Sequence, residues 1–220
     1  MKILFVTHKF PPSVGGMEMQ CFELYNGIKA DNEIVLMKMP DKANRVWWLL
    51  TLGRRVRKAL KADPSITHVY FNDALCGMGA AAVRKCSKAK TAVTVHGLDA
   101  VFPNAWFQKR FAWNLTSNID AAIAVSEATA EEIRKRGIPS EKVFTVANGV
   151  DLSLSDIPAD PAVVASLEQK LGFSFKEKKV LVSIGRSVRR KGFSWFINNV
   201  VPKLDKDIVY VIIGPRQEDI

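Results

Sequence analysis

The stretch KKVLVSIGRSVRRKG, residues 178–192, gives the strongest indication of fold and function in this chain. Its run of Val, Leu and Ile ends at Gly185 and is typical of a strand covered on both faces in a parallel sheet. The chain then turns through Gly192 into a helical pattern. Arg186 and Lys191 therefore follow a parallel strand beside a helix start, where two cations can hold a diphosphate. A solvated basic turn is the alternative interpretation.

Similar apolar runs occur throughout the chain and alternate with amphipathic stretches. The other predicted strands are KILFVTH, NEIVLMKM, HVYFND, KTAVTVHG, AAIAVS, KVFTVAN and IVYVIIG. The predicted helices cover roughly 17–29, 44–60, 77–87, 105–115, 127–136, 161–171 and 192–203. Strands that alternate with helices form βαβ units, so the pattern predicts an α/β fold with parallel sheets.

Two domains are expected. The stretch that begins at residue 151 has two prolines, few strand formers and a charged end, which is typical of a junction. We assign residues 1–172, with a linker from about 151, to a Rossmann-like first domain. Residues 173–220 then form the beginning of a second Rossmann-like domain, which is incomplete.

Composition narrows the class of protein. The chain is 48% hydrophobic and 25% charged, and it lacks an apolar run long enough to span a membrane. We interpret MKILFVTHKF as a first strand, because its apolar run is too short for a signal peptide. Three cysteines without metal-ligand spacing favour a reducing cytoplasm. The net charge of +10 indicates an anionic partner: nucleic acid, a membrane surface or a phosphorylated substrate.

Several polar or glycine residues directly follow predicted strands. They are Pro11 to Gly16, Asn72 and Asp73, His96 and Gly97, Ser126, Asn148 and Gly149, and Arg186. Ligands of open parallel sheets bind outside the carboxyl ends of the strands, so a common site is expected there. The alternative is that turns simply favour these residue types.

Two of these positions have a specific chemistry. Gly15 and Gly16 open a helix and allow backbone N–H groups to approach an anion. They fit neither GxGxxG nor a P-loop, which disfavours NAD binding and ATP hydrolysis. His96 can donate a hydrogen bond to a sugar hydroxyl, or it is a satisfied surface histidine. His8 and His68 are expected to be structural.

Together these segments resemble the family-4 retaining glycosyltransferases of the GT-B fold. The matching segments are PPSVGGME, TVHG, AVSEATAEEI, VFTVANGVD and VSIGRSVRRKG, in the family's order and spacing. The resemblance covers nearly the whole chain. It implies a nucleotide-sugar donor, an acceptor hydroxyl that is part of a sugar or a lipid-linked compound, and transfer with retention of configuration. Cell-surface polysaccharide, lipopolysaccharide or glycolipid synthesis is the expected pathway, in the cytoplasm.

The resemblance also implies roles for individual residues. The glycine after strand 1 lies near the donor diphosphate in that family, which implies Gly16 together with Gly15. The strand-end histidine implies His96 in the sugar and acceptor site, and the G-R-x(4)-K-G segment implies Arg186 and Lys191 as the phosphate clamp. No metal is expected, because the two cations stabilise the leaving diphosphate. The residues expected to line the cleft are Glu18, Asn72, Asp99, Ser126 and Asn148.

One departure from the family concerns the second domain. Family members carry a Glu-x(7)-Glu segment for the donor sugar and ribose, and this sequence has no such pair. A single βαβ unit cannot bury both of its faces. We therefore expect a fragment or truncated product that is inactive alone, or a last unit that packs on the first domain or on a second chain. A non-catalytic homologue that binds a sugar, an anionic lipid surface or a partner subunit is the competing interpretation.

A basic stretch from Lys42 to Lys61 predicts an amphipathic helix. Its apolar stripe, Val46, Leu49, Leu50, Gly53, Val56 and Leu60, is expected to face the sheet. The residues expected at an anionic membrane interface are Trp47, Trp48, Arg54, Arg55, Lys58 and Lys61. A solvated face with one buried Trp is the alternative. Nucleic-acid binding is disfavoured, because no motif for it is present.

Overall fold

The computed structural model describes residues 1–150, 152 and 156–214, which belong to two compact units. The first unit is Met1–Val150 and the second is Asp151–Ile220. The division falls where the linker was expected to begin, and the linker residues belong to the second unit. Asp151 of the NGVD motif and the final PRQEDI segment lie outside the described residues.

The first unit is built of alternating strands and helices. Its strands are β1 Lys2–Thr7, β2 Glu33–Lys38, β3 His68–Phe71, β4 Lys90–Val95, β5 Ala121–Ala124 and β6 Val143–Thr145. Its helices are α1 Gly16–Asp31, α2 Arg45–Ala62, α3 Ala74–Gly77, α4 Ala80–Arg84, α5 Gly97–Val101, α6 Ala105–Asn118 and α7 Glu127–Lys135. Each strand lies within a predicted apolar run, because β-branched residues fit a sheet that is buried between helices.

The strands form one parallel sheet in the order β2-β1-β3-β4-β5-β6. The order reverses at β1, which pairs with β2 on one side and with β3 on the other. All carboxyl ends lie at one edge of the sheet because every pairing is parallel. This edge, which we call the carboxyl edge, is where an open α/β sheet binds its ligands.

Polar side chains fix the starts of the helices at this edge. The side chains of Asn44, Asp73, Asn104 and Ser126 accept hydrogen bonds from backbone N–H groups in the first turns of α2, α3, α6 and α7. Each bond satisfies a donor that the helix itself leaves without a partner. Loop residues of the carboxyl edge therefore have a structural role as well as any role in binding.

The core lies on both faces of the sheet. One face packs against α2, α4 and α6, and it buries Trp48, Leu52, Phe111 and Leu115. The opposite face packs against α1 around Phe5, whose ring lies 5.0 Å from that of Tyr70. The Rossmann-like architecture predicted for this unit is confirmed.

The described part of the second unit holds a two-stranded parallel sheet. Its elements are α8 Pro161–Leu171, β7 Lys179–Ile184, α9 Phe193–Asn199 and β8 Ile208–Ile213. The strands were expected to be covered on both faces, yet Ile184 is 72% and Ile213 is 52% exposed. This exposure agrees with the expectation that a single βαβ unit cannot bury both of its faces. Helix α9 packs on the pair where the ring of Phe196 contacts that of Tyr210.

Two predicted helices differ from the structure. In place of the helix predicted over 77–87 there are two short helices: α3, which is capped by Asp73 and ends at Gly77, and α4, which ends at Arg84. The stretch 192–203 is α9 followed by a short 3-10 turn, because Pro202 lacks the N–H group that an α-helix requires. Helix α5 was not predicted. No helix in the described part of the chain combines the length and apolar character of a membrane span.

Candidate functional site

His96 is at the centre of the carboxyl edge. It follows β4 and precedes α5, and its ring Nε2 lies 3.2 Å from the main-chain carbonyl oxygen of Asn72 after β3. A carbonyl oxygen can only accept, so Nε2 carries the proton of this hydrogen bond. The other ring nitrogen, Nδ1, is therefore an acceptor in the neutral ring and a donor when the ring is protonated. The sequence prediction had considered donation alone.

The side chain of Asn72 is completely buried, and neither polar atom of its amide has a partner in the described part of the chain. A buried amide without partners costs roughly 1–3 kcal/mol. The same residue supplies the main-chain carbonyl that the ring of His96 contacts. Asn72 therefore offers a donor and an acceptor that the described fold does not use.

Asp99 joins the ends of β3 and β4. Its Oδ2 accepts hydrogen bonds from the backbone N–H of His96 at 3.1 Å and from that of Ala74 at 3.5 Å. Burial raises the pKa of Asp99, and the negative charge of Asp73 adds to the increase although the backbone hydrogen bonds oppose it. The carboxylate predicted to line the cleft thus holds the backbone on which His96 is mounted.

His8 and Asp73 form a buried pair at the ends of β1 and β3. The distance from His8 Nδ1 to Asp73 Oδ2 is 2.9 Å, and Asp73 Oδ1 accepts from the backbone N–H of Cys76 at 2.8 Å. Burial alone would raise the pKa of Asp73, but the hydrogen bond and charge of His8 hold that pKa below its ordinary value. Position after a strand could have identified this pair in the sequence.

The thiol of Cys76 completes a buried cluster with His8 and Asp73. Its Sγ lies 3.5 Å from His8 Nδ1, and burial raises the pKa of the thiol well above its ordinary value. One imidazole, one carboxylate and one thiol therefore lie within 4.8 Å of one another. Their direct hydrogen bonds account for this arrangement.

Glu18 occupies the start of α1. Its Oε1 lies 2.9 Å from Lys9 Nζ, and a β-carbon at Gly15 would collide with its carboxylate. A carboxylate in the first turn is stabilised by the helix dipole. By contrast, a β-carbon at Gly16 would meet no atom within 4 Å. A larger residue at 15 would therefore displace the carboxylate of Glu18, whereas Gly16, which was predicted to lie near the diphosphate, has open space around it.

Ser126 and Asn148 follow β5 and β6. The hydroxyl of Ser126 accepts from the backbone N–H of Thr129 at 3.2 Å and lies 3.0 Å from its hydroxyl. Asn148 is in an exposed loop. The structure therefore brings His96, Asn72 and Asp99 together by hydrogen bonds, and it places Ser126 in a helix cap.

The turn after β7 belongs to the second unit. Gly185 and Gly192 have φ angles of +147° and +73°, which favour glycine. The side chain of Lys191 folds back over Gly185, where a β-carbon would lie 3.4 Å from Lys191 Cε. Arg186 and Lys191 are both exposed, and neither forms an ion pair within the described residues.

The buried face of the basic helix α2 matches the predicted one only in part. Trp48, Leu52, Val56 and Leu60 are at most 5% exposed, so Trp48 belongs to the core and was wrongly assigned to a membrane interface. Val46 and Leu50 are 64% and 74% exposed, although both were expected to face the sheet. The buried stripe follows the spacing i, i+4, i+8, i+12. It shares Val56 and Leu60 with the predicted stripe, but at its start it contains Trp48 and Leu52 in place of Val46 and Leu50.

Trp47 remains on the solvent side of α2 and is 64% exposed. The exposed basic residues of the same helix are Arg45, Arg54, Arg55, Arg57, Lys58 and Lys61. A groove of about 340 Å³ lies between α2 and α4 and is lined in part by Arg54, Arg57 and Lys85. The surface is thus both aromatic and strongly basic.

Solved structures similar to this chain share the GT-B fold. Anabaena HepE in complex with UDP superposes with a TM-score of 0.73 at 17% identity, over 98% of this chain and 61% of that chain. Sucrose-phosphate synthase of Thermosynechococcus elongatus has a TM-score of 0.64 at 16% identity, over 97% of this chain and 70% of that chain. This chain therefore spans about three fifths of the length of HepE.

Sequence comparison identifies the family. The model of glycosyltransferase family 4 matches residues 22–154, more than half of the chain. The chain belongs to glycosyltransferase family 4. A UDP-GlcNAc 2-epimerase of Neisseria meningitidis shares the fold with a TM-score of 0.59 at 15% identity, over 99% of this chain and 66% of that chain, so fold alone does not separate these classes. No curated protein matches the chain significantly.

Proposed function

We propose that this chain acts in the transfer of a sugar from a nucleotide-sugar to an acceptor hydroxyl, with retention of configuration. The observation that carries the proposal is the buried, unpartnered amide of Asn72 next to the hydrogen-bonded ring of His96, in a chain of a glycosyltransferase family. Synthesis of a cell-surface polysaccharide, lipopolysaccharide or glycolipid in the cytoplasm is the proposed context.

The charges of the first unit favour sugar hydroxyls at the carboxyl edge. Glu18, Asp73 and Asp99 place carboxyl groups at the starts of the helices that follow β1, β3 and β4. Such groups repel a phosphate, whereas the amide of Asn72 and Nδ1 of His96 can pair with hydroxyl groups. We assign acceptor and sugar hydroxyls to this edge. Gly15 and Gly16 remain candidates for the diphosphate, which would meet the carboxylate of Glu18 there.

The second unit supplies positive charge. As the bond to the donor sugar breaks, negative charge grows on the leaving diphosphate. Arg186 can bind two phosphate oxygens through its planar guanidinium, and Lys191 adds a point charge within the same turn. We propose that these two cations carry the stabilisation without a metal ion.

Transfer assays with radiolabelled UDP-glucose and GDP-mannose test the proposal. Membrane lipid extract serves as the acceptor, and the proton coupling constant of the product reports whether configuration is retained. Loss of transfer in His96→Ala, with unchanged thermal unfolding, is the expected result. Binding of nucleotide-sugar without any transfer would contradict catalysis by this chain and would support the non-catalytic alternative.

We also propose that α2 contacts an anionic membrane that presents a lipid-linked acceptor. Trp47 and Leu50 are exposed beside basic residues, a combination that suits a lipid headgroup region. Flotation with phosphatidylglycerol vesicles should weaken in Trp47→Ala with Arg54→Glu. No flotation of the unaltered chain at low salt would overturn this proposal. Association with a second chain through the exposed β7–β8 pair is a separate proposal, which sedimentation can check.

A further inference from the structure

The net positive charge of this protein comes from one segment of the chain. Residues 42–119 contain 13 of the 32 Lys and Arg residues but three of the 22 Asp and Glu residues, so this segment accounts for the entire net charge of +10. Of those acids, Asp73 is buried, Asp99 is largely buried, and Asp63 is paired with Lys2 at 2.8 Å. The surface of the segment therefore presents an almost purely positive field.

This segment builds one layer of helices. Helix α2 packs against α4, and α4 packs against α6, on the same face of the sheet. The exposed cations of the layer are Arg54, Arg55, Arg57, Lys58, Lys61, Lys85, Lys109 and Arg110. Within the described residues none of them forms an ion pair, so their charges are available to an anionic partner.

An apolar surface adjoins this layer where α5 leads into α6. The exposed fractions are 57% for Leu98, 52% for Val101, 44% for Phe102 and 74% for Trp106. No exposed acid lies among residues 97–117, because Asp99 is turned inward. The sequence prediction had placed all interfacial residues on α2 and did not include this surface.

This apolar surface is held in position by the fold. Gln108 donates to the carbonyl oxygens of Asp99 and Phe102, both at 3.0 Å. The ring of Phe102 packs edge-on against Phe107, which stacks on the buried Phe111. The exposed side chains thus project from an anchored backbone.

Both apolar surfaces lie toward the carboxyl edge. Helix α2 follows β2 and α5 follows β4, and both strands run parallel in one sheet, so both helices begin at that edge. Trp47 is in the first turn of α2 and Trp106 is in the first turn of α6. His96 directly precedes the short helix that carries Leu98.

We propose that the α5–α6 surface, formed by Leu98, Val101, Phe102 and Trp106, inserts into the headgroup region of an anionic bilayer. The cations of the helical layer then bind lipid phosphates, each adding about 1 kcal/mol. We favour a bilayer over other partners because exposed aromatic and aliphatic side chains lie beside a surface whose charges are positive. The idea that docking presents the acceptor to His96 rests on the proposed transferase function. The docking itself does not depend on that function.

Vesicle flotation measures the docking. The unaltered chain should bind vesicles with 30% phosphatidylglycerol and should not bind pure phosphatidylcholine. Leu98→Ser with Trp106→Ser should weaken binding by about a hundredfold or more, the combined effect of losing the burial of two large apolar side chains. The matched control is Trp195→Ser in the second unit, since Trp195 is 65% exposed, and it should bind as the unaltered chain does.

Fluorine NMR identifies the surface that touches the lipid. The five tryptophans are replaced by 5-fluorotryptophan, and nanodiscs with spin-labelled lipid broaden the signals of residues at the bilayer. Strong broadening of Trp106, and none of the buried Trp48, supports the proposal. Broadening of Trp47 alone would overturn it in favour of docking through α2. Unaffected signals together with salt-sensitive binding of an oligonucleotide would overturn it in favour of a nucleic-acid partner.

The docking proposal and the transferase proposal can be tested independently of each other. If Leu98→Ser with Trp106→Ser abolishes flotation but preserves transfer to a detergent-solubilised acceptor, docking and catalysis are independent properties. If the unaltered chain floats but transfers no sugar, the transferase proposal is wrong while the docking surface stands. Circular dichroism during heating verifies that the variants remain folded.

Discussion

The imidazole Nε2 of His96 donates a hydrogen bond to the main-chain carbonyl of Asn72 across neighbouring strands β4 and β3. When the ring is neutral, Nδ1 is the nitrogen without a proton and can only accept a hydrogen bond. His96→Ala should lower kcat/KM for sugar transfer by about 10²- to 10⁴-fold. His96→Asn is the informative comparison, because its amide can restore one polar contact. Equal transfer by all three chains would contradict a role for the ring.

Asn72→Leu should separate stability from function. The variant replaces a buried amide that has no partner in the described structure with an apolar side chain of similar size. We expect an unchanged or higher free energy of unfolding, because desolvation of the amide is no longer required. We also expect KM for the acceptor to rise. A large loss of stability with normal KM would mean that the amide serves the fold.

The pH dependence of folding should reveal Asp73. Its pKa is lower in the folded chain than in the unfolded chain, so its contribution is complete above the unfolded pKa and is lost as pH falls through the folded pKa. Asp73→Asn should flatten the decrease of stability toward acid pH. Urea unfolding at pH 7 and at pH 3 measures the difference, and an unchanged pH profile would contradict the ion pair with His8.

Asp99 should have the opposite effect. Burial raises its folded pKa, so the folded chain binds a proton more readily and gains stability as pH falls through the interval between the two pKa values. Asp99→Asn should remove this gain while its side-chain carbonyl still accepts the backbone hydrogen bonds. Thermal unfolding between pH 7 and pH 4 is the measurement. If the gain in stability at lower pH persists in Asp99→Asn, it arises from another titratable group.

Arg186→Ala and Lys191→Ala should each raise the barrier to transfer by about 3–4 kcal/mol if they hold the leaving diphosphate. Arg189→Ala and Arg190→Ala are matched controls from the same turn, and they should have little effect. Binding of UDP and GDP by calorimetry complements the rates. Equal losses from all four substitutions would indicate a nonspecific effect of charge.

Neighbouring tryptophans on α2 provide a test of its orientation. Trp48→Ala should lower the free energy of unfolding by about 3–5 kcal/mol, because the side chain is 2% exposed in the core. Trp47→Ala should change it little, since that side chain is 64% exposed. Urea unfolding checks both. A larger loss of stability in Trp47→Ala than in Trp48→Ala would contradict the buried position of Trp48.

The sequence by itself determined the parallel α/β fold, the positions of the strands and the family. Runs of Val, Ile and Leu are a local signal, and the turns after them fix where the carboxyl edge lies. His96, Asn72 and Arg186 could be selected for this reason, since their position after a strand requires no knowledge of packing.

Only the tertiary structure decided which partners these residues have. The pairing of His8 with Asp73 joins positions 65 residues apart, and the contact of His96 with Asn72 depends on the adjacency of β3 and β4. The buried face of α2 also changed, because a helical wheel gives the spacing of side chains but not the direction of the sheet. A short apolar segment such as Leu98 to Trp106 resembles core in sequence, and only the packing of α5 and α6 shows that four of its large apolar side chains are exposed.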